Sequence, residues 1–191
     1  MPIENEQKFI LSLDAEEDIK NSCPMFFKIQ QGYISNNARI RITTQLNGQT
    51  IYEFIFKYKT QDNITFVTSP KITEEDFGIL RNEVKSVILK TKYILYTNAG
   101  EWEVNFLKNE FDETYFVLAE YEMPAWQSRP DTIPDVIQKH LLKIVDKEDA
   151  SFTNKRLSNE AYAVKKLKVI LDKKDAVVKK TKIRVRKIKD A

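Results

Sequence analysis

The sequence predicts a mainly β protein with α+β character, in which an antiparallel sheet or barrel carries flanking helices. The first observation is a period-2 alternation of apolar and polar residues that recurs in short segments along most of the chain. The second is the shortness of the connections, among them Asn47-Gly48, a pair typical of hairpin turns. Short turns favour antiparallel pairing, because parallel pairing needs long crossover connections.

The alternating segments predict the strands in order along the chain. They are Ile3–Leu11, Ala38–Thr44, Tyr52–Lys59, Ile88–Tyr96, Glu101–Leu107 and Tyr115–Met123, with a weaker pattern at Thr65–Thr68. The Asn47-Gly48 pair separates the second strand from the third, and Asn98-Ala99-Gly100 precedes the strand at Glu101.

Three segments have the spacing of helices. Thr73 is the predicted N-cap of a helix that ends near Val87. The other two predicted helices are Pro134–Val145 and Asn159–Leu171. Lys182–Lys189 alternates again, and its pattern fits either a late strand or a basic extension.

The composition excludes several classes of site and compartment. A single cysteine, Cys23, excludes a disulfide framework, and a single histidine, His140, argues against histidine metal sites and Ser-His-Asp chemistry. No apolar run approaches the roughly 18 residues of a membrane span, so we expect no membrane partner. The acidic, strand-like start predicts no signal peptide, and we expect a cytoplasmic protein in a reducing compartment.

Charge is distributed unevenly along the chain. Residues 164–191 hold 12 Lys and Arg against 3 Asp and Glu, whereas the residues before them hold 19 against 25. We therefore predict a domain over residues 1–175 and a basic tail over residues 176–191. Such a tail is a candidate contact for nucleic acid, for an acidic partner or for the acidic body of the chain.

The charged side chains are sorted by strand. Residues two apart in a strand share a face. Carboxylates share a face at Glu4 and Glu6, at Glu101 and Glu103, and at Glu120 and Glu122, and cations do so at Arg39 and Arg41, at Lys57 and Lys59, and at Lys90 and Lys92. The sorting indicates either a solvated face of the sheet or a ligand that needs these charges. Like charges side by side are destabilising, and a bound ligand would explain why a strand keeps them.

A polyphosphate bound together with its metal is a ligand that would need both kinds of strand. Arg and Lys side chains bind phosphate oxygens, and clustered carboxylates bind Mg²⁺ or Mn²⁺, which bridge to phosphates. The sequence has neither a P-loop nor a GxGxxG motif, so phosphate binding would not use a helix N-terminus.

Seven short motifs follow one another in an order that is found in one superfamily. The first three are Glu4-Asn5-Glu6-Gln7-Lys8 (ExExK), Gln31-Gly32-Tyr33-Ile34 (QGYL) and Arg39-Ile40-Arg41 (RxR). The next are Lys90-Thr91-Lys92-Tyr93 (KTRY), Trp102-Glu103-Val104-Asn105 (WEVD), Leu118-Ala119-Glu120-Tyr121-Glu122 (LAExE) and Ser151-Phe152-Thr153-Asn154 (RYxN). Together they resemble the CYTH superfamily, the triphosphate tunnel metalloenzymes, from residue 3 to about residue 157.

The resemblance implies an antiparallel eight-stranded β-barrel, or tunnel, whose polar lumen binds a triphosphate compound with Mg²⁺ or Mn²⁺. By position it assigns metal binding to Glu4, Glu6, Glu120 and Glu122. It assigns phosphate binding to Lys8, Arg39, Arg41, Lys57 or Lys59, Lys90 and Lys92. Lys8 and Tyr33 would orient or activate the attacking water in a hydrolase. The strand register decides whether Lys57 or Lys59 faces the lumen.

The chain departs from the family's pattern at four places. Thr65–Ser69 carries no carboxylate where the family has RxExE. Lys92 stands for the Arg of KTRY, Asn105 for the Asp of WEVD and Ser151 for the Arg of RYxN. Lys92 keeps the charge but loses the guanidinium fork. We therefore expect a divergent member of the superfamily, in which catalytic turnover is narrowed, altered or lost.

Members of this superfamily include inorganic triphosphatases, thiamine triphosphatases, class IV adenylyl cyclases and RNA triphosphatases. We expect a metal-dependent phosphohydrolase whose substrate is inorganic triphosphate, a nucleotide or thiamine triphosphate. The alternatives are an adenylyl cyclase-like enzyme, a non-catalytic binder of a phosphorylated ligand or signalling nucleotide, and an RNA 5′-triphosphatase that uses the basic tail.

Overall fold

The computed structural model describes residues 5–59, 65–98, 100–124, 126–147 and 149–189. One sheet contains β1 (Glu6–Leu11), β2 (Met25–Tyr33), β3 (Ala38–Thr44), β4 (Thr50–Lys59), β5 (Thr65–Thr68), β6 (Ser86–Thr97), β7 (Gly100–Lys108), β8 (Thr114–Glu122) and β9 (Leu141–Ile144). The flanking helices are α1 (Glu16–Ser22), α2 (Glu74–Arg81), α3 (Asp135–His140), α4 (Asn154–Leu157) and α5 (Glu160–Lys189). The predicted mainly β class with flanking helices is confirmed.

The strand order is β5-β4-β3-β2-β6-β7-β8-β1-β9, and each described pair of neighbours is antiparallel. Nine strands therefore replace the eight that the resemblance implied, and the described sheet is not closed. Its edge strands β5 and β9 have four residues each, so each edge offers only a short run of backbone for pairing.

Each segment predicted as a strand overlaps a strand of the sheet, and Ile3 and Glu4, at the start of the first segment, lie outside the described residues. Two further strands were not predicted. β2 lies in the middle of the sheet and its last three residues are buried in succession, so its sequence lacks an alternating pattern. β9 replaces the second half of the helix predicted at Pro134–Val145. Its residues pair with β1, and this pairing ends α3 at His140.

The other helix predictions also differ from the structure at one end. Thr73 accepts a hydrogen bond from the backbone N–H of Asp76, so the predicted N-cap of α2 is confirmed. α2 ends at Arg81 rather than near Val87, because the chain turns there and enters β6. α5 begins at Glu160, one residue after the predicted start at Asn159, and continues to Lys189, so Lys182–Lys189 is helical rather than a strand. No described helix is long and apolar enough to cross a membrane.

One face of the sheet packs against α1 and α3. Trp102 is fully buried there between the rings of Phe9 and Tyr121, whose centroids lie 4.9 and 4.7 Å from its own. Ile19 of α1 and Ile137 of α3 cover this aromatic layer. Each such side chain contributes about 1.5–3 kcal/mol through burial, so this layer stabilises the strands that carry the site.

The opposite face is apolar at one end and polar at the other. At the apolar end, Ile10, Ile88 and Leu118 pack against Leu157 of α4 and Leu167 of α5. These helices close that end of the concave face. The charged residues therefore occupy the remaining, accessible part of the same face.

Candidate functional site

The concave face of the sheet holds a polar cavity of about 370 Å³, which we call the charged cavity. Seven strands and one helix contribute its lining. The lining residues are Glu6, Gln31, Arg39, Arg41, Lys57, Lys90, Lys92, Glu101, Glu103, Glu120, Glu122 and Asn154. The structure thus brings together nearly all of the residues that the strand patterns selected.

Charge is divided across this cavity. The lining cations lie on β3, β4 and β6, and the lining carboxylates lie on β1, β7 and β8. The two halves meet where β6 pairs with β7, and there the ammonium of Lys92 lies 2.5 Å from the carboxylate of Glu103. A cavity with this division can bind a ligand that carries both a cation and an anion.

Arg41 is neutralised by Glu53, a carboxylate outside the predicted set of site residues. Its guanidinium lies 2.8 Å from Oε2 of Glu53, which faces it across the β3–β4 pair. The hydroxyl of Ser69 donates to the other oxygen of Glu53 at 2.7 Å. The hairpin at Asn47-Gly48 sets this register, so counting back from the turn would have identified Glu53.

Two cations of the cavity, Arg39 and Lys90, have no carboxylate partner in the described part of the chain. In the part of the chain that the structure describes, neither has an acidic oxygen within 4.0 Å, and Nε of Arg39 is buried without a hydrogen-bond acceptor. Burial, reinforced by the ammonium of Lys92, lowers the pKa of Lys90 to about 8. Two neighbouring cations that have no carboxylate partner among the described residues form a site for an anion.

The carboxylate half of the cavity is organised around Lys8. Its ammonium contacts Glu6 and lies 3.6 Å from Oε1 of Glu120. The side-chain amide of Asn105 donates to the other oxygen of Glu120 at 2.9 Å. Burial, together with the charge of Glu6, raises the pKa of Glu120.

The predicted metal ligands fit Mg²⁺ or Mn²⁺ in chemical kind, because they are carboxylate oxygens. Glu6 and Glu122 are direct partners across the β1–β8 pair, and Glu120 lies opposite Lys8. Glu4 lies outside the described residues. No group of three or more His, Cys, Asp or Glu residues is close enough to hold one ion in the described part of the chain. In this arrangement Lys8 occupies the space between Glu6 and Glu120.

Tyr33 lies deeper, where the polar part of the concave face meets its apolar end. Its hydroxyl accepts a hydrogen bond from the Gln31 amide at 2.6 Å, and it pairs with Arg39 across the β2–β3 register. Burial raises the pKa of Tyr33 to about 12, so its phenol stays protonated at neutral pH. Lys8 therefore belongs to the carboxylate half of the cavity, whereas Tyr33 lies beside Arg39.

Lys57 lines the cavity, and the side chain of Lys59 lies outside the described part of the structure. Asn154, from α4, also lines the cavity, and its Oδ1 is buried without a hydrogen-bond partner. In the sequence, Asn154 stands out only as the last residue of the motif Ser151-Phe152-Thr153-Asn154. The side chains of residues 177–189 are likewise outside the description, so nucleic-acid contact through the basic tail stays a prediction.

Comparison with known proteins shows the fold. No protein-family model matches the chain, and no curated protein matches it in sequence. The crystal structure of the hypothetical protein NE1496 is similar over 81% of this chain and 97% of its own, with a TM-score of 0.50 and 20% identity. The chain therefore shares the fold of that protein.

Two further solved structures are similar to a smaller extent. The PH1819 protein of Pyrococcus horikoshii matches with a TM-score of 0.48 and 17% identity, over 71% of this chain and 85% of its own. A candidate adenylate cyclase from Bacillus halodurans matches with a TM-score of 0.43 and 12% identity, over 64% of this chain and 81% of its own.

Proposed function

We propose that the protein is a divergent member of the CYTH superfamily and a metal-dependent phosphohydrolase that acts on a triphosphate-containing substrate bound in the charged cavity. The observation that carries the proposal is a pair of cations, the buried Lys90 and the half-buried Arg39, whose Nε is buried without an acceptor. Neither has a carboxylate partner among the described residues. Such a pair is costly in the empty protein, and an oligophosphate is the ligand whose charge best offsets that cost.

The two halves of the cavity suit the two parts of a metal–triphosphate complex. Arg39 and Lys90, with Arg41, Lys57 and Lys92 around them, would hold the phosphate oxygens. Glu6, Glu120 and Glu122 would hold Mg²⁺ or Mn²⁺, with Lys8 displaced toward the phosphates. The bound metal would supply polarisation of the phosphoryl group that is attacked.

Two residues are placed to assist hydrolysis rather than binding alone. Lys8, flanked by Glu6 and Glu120, is suited to orient water and to stabilise developing negative charge. Tyr33, whose pKa of about 12 keeps it protonated, can donate a hydrogen bond to a phosphate oxygen beside Arg39. The protonated Tyr33 is not suited to act as a free base at neutral pH.

One observation favours a non-catalytic binder as a second candidate function. β5 carries Thr65, Phe66, Val67 and Thr68, so it presents no carboxylate to the cavity. In the resembling family the corresponding stretch contains two glutamates. A cavity with fewer metal ligands would retain anion binding and lose turnover.

A substrate panel separates these functions. The full chain is incubated with tripolyphosphate, ATP, thiamine triphosphate and a 5′-triphosphorylated RNA, with Mg²⁺ or Mn²⁺, and phosphate, pyrophosphate and cyclic nucleotide are measured. The proposal expects metal-dependent phosphate release that is lowered at least about 100-fold by Arg39→Gln. Lys20→Gln, a change at an exposed residue of α1, is the matched control and is expected to leave the rate unchanged.

Each product has a different meaning. Pyrophosphate with cyclic nucleotide identifies a cyclase and contradicts hydrolysis. Binding of tripolyphosphate without any product identifies the non-catalytic binder. Phosphate release that Arg39→Gln leaves unchanged would show that the charged cavity is not the site of the reaction.

A further inference from the structure

A second cavity lies on the outside of the closed end, between α5, β9 and the turn at Ala150–Phe152. Its volume is about 440 Å³, and it shares no lining residue with the charged cavity. We call it the lysine groove. Its floor and wall are apolar and consist of Leu142, Phe152, Val169 and Ile170. Its rim carries Lys143, Lys166, Lys173 and Lys174, with Asp149 as the acidic residue of the lining.

Most of the positive charge on this rim is unbalanced. Asp149 lies 3.3 Å from Lys143 and is its ion-pair partner. Lys166, Lys173 and Lys174 have no carboxylate within 4.0 Å among the described residues. Lys166 instead donates a hydrogen bond to the hydroxyl of Ser151 at 3.2 Å. This hydroxyl is neutral, so it does not balance the charge of Lys166.

Two of the ammonium groups are held close to the apolar floor. Lys143 lies 4.8 Å and Lys166 lies 5.8 Å from the centre of the Phe152 ring. The ring attracts both cations, so positive charge is concentrated directly beside apolar surface. Val169, on the wall, is 45% exposed although it faces this groove.

We propose that the lysine groove binds a single-chain anionic amphiphile, a fatty-acid-like carboxylate, as a monomer. The carboxylate would be held by Lys166 and Lys173, and the chain would lie along Phe152, Val169 and Ile170. This occupant follows from charge complementarity, because an apolar body meets the floor and one anionic head meets a rim with an excess of cations. The proposal concerns a different site from the charged cavity and does not depend on the proposed function.

Calorimetric titration of the full chain with dodecanoate below its micelle concentration tests the proposal. We expect a dissociation constant below about 100 µM. Octanoate should bind at least about tenfold more weakly, because each buried methylene contributes to affinity. Dodecyltrimethylammonium, which has the same chain and the opposite charge, should not compete.

Two pairs of variants locate the site. Lys166→Gln with Lys173→Gln should weaken dodecanoate binding at least about tenfold, whereas Lys165→Gln with Lys168→Gln, exposed on α5 outside the groove, should not. Val169→Ser should weaken it several-fold, and Val164→Ser, at a residue that is 47% exposed elsewhere on α5, is its control.

Three results would overturn the proposal. The first is that dodecanoate gives no heat of binding up to its micelle concentration. The second is that the groove variants and their controls bind dodecanoate with equal affinity. The third is that the protein binds anionic vesicles but does not bind monomeric dodecanoate. The last result would assign the lysines to a membrane surface instead.

Discussion

Replacing Lys90 by methionine is expected to stabilise the fold at neutral pH while it weakens binding in the charged cavity. Burial and the neighbouring Lys92 lower the pKa of Lys90 from 10.5 to about 8. A shift of this size corresponds to about 3 kcal/mol by which the folded protein disfavours the charged amine. Methionine has a similar length and carries no charge, so the variant avoids this cost.

The expected increase in the free energy of unfolding is smaller than this cost of about 3 kcal/mol. Glu120 loses one of the cations that lower its pKa, and this change offsets part of the stabilisation. We expect the free energy of unfolding to rise by about 1–3 kcal/mol at about pH 7. For a chain of this length, the melting temperature would rise by about 2–4 °C per kcal/mol.

The pH dependence gives the sign of the effect. The unfolded chain keeps the amine protonated up to its ordinary pKa of 10.5, whereas the folded protein releases the proton near a pKa of about 8. Between these values the unfolded state binds more protons, so the wild type gains stability relative to the variant as pH rises. The advantage of Lys90→Met should therefore be complete below about pH 8 and disappear above about pH 10.5.

Urea unfolding of the wild type and of Lys90→Met, at about pH 7 and about pH 10, measures this difference. Lys20→Met, at an exposed residue of α1, is the control and should not change stability at either pH. The reasoning is refuted if Lys90→Met destabilises the protein at neutral pH, or if its advantage is the same at both pH values.

Three further predictions follow from other contacts. In the wild type, the affinity for tripolyphosphate should fall as pH rises through about 8, where Lys90 loses its charge, and Lys90→Met should show a weaker and flatter profile in calorimetric titrations. Gly32→Ala should destabilise the fold by about 1–3 kcal/mol, because an added Cβ would lie 2.7 Å from Cγ2 of Val84. Urea unfolding curves should show that adding Val84→Ala to Gly32→Ala restores stability. Full stability of Gly32→Ala alone would refute the clash. If the protein is a hydrolase, Tyr33→Phe and Lys8→Ala should each lower kcat about 100-fold with a smaller effect on affinity, and full steady-state activity in both would remove their catalytic role.

The sequence predicts the strands best where one face is buried and the other is charged. β3, β6 and β7 have this character, and their alternation marks both their position and the face that lines the cavity. β2 is central, and its apolar and polar residues do not alternate, so local periodicity does not identify it. β9 follows a helix-like run, and only its pairing with β1 makes it a strand. This pairing is a tertiary contact that a local pattern does not contain.

Prediction of the candidate site is likewise limited by contacts between strands, which a local sequence pattern does not contain. Period-2 spacing places Arg39 with Arg41 on one face of β3 and Lys90 with Lys92 on one face of β6, and the structure brings both pairs into one cavity. Spacing along one strand does not show which charges neutralise each other. The partnership of Arg41 with Glu53 and the lack of a carboxylate near Arg39 both depend on register across neighbouring strands. The sequence therefore predicts the cations, and the structure distinguishes the paired ones from those left for a ligand.

The binding of tripolyphosphate, with and without Mg²⁺, tests the central claim most directly. Isothermal titration calorimetry is carried out on the wild type, on Arg39→Gln, on Glu120→Gln and on the control Lys20→Gln. We predict binding by the wild type that Mg²⁺ strengthens, a loss of at least about 30-fold in Arg39→Gln, and loss of the Mg²⁺ effect in Glu120→Gln. Absence of binding by the wild type, or equal affinity in Arg39→Gln and the control, would contradict the account.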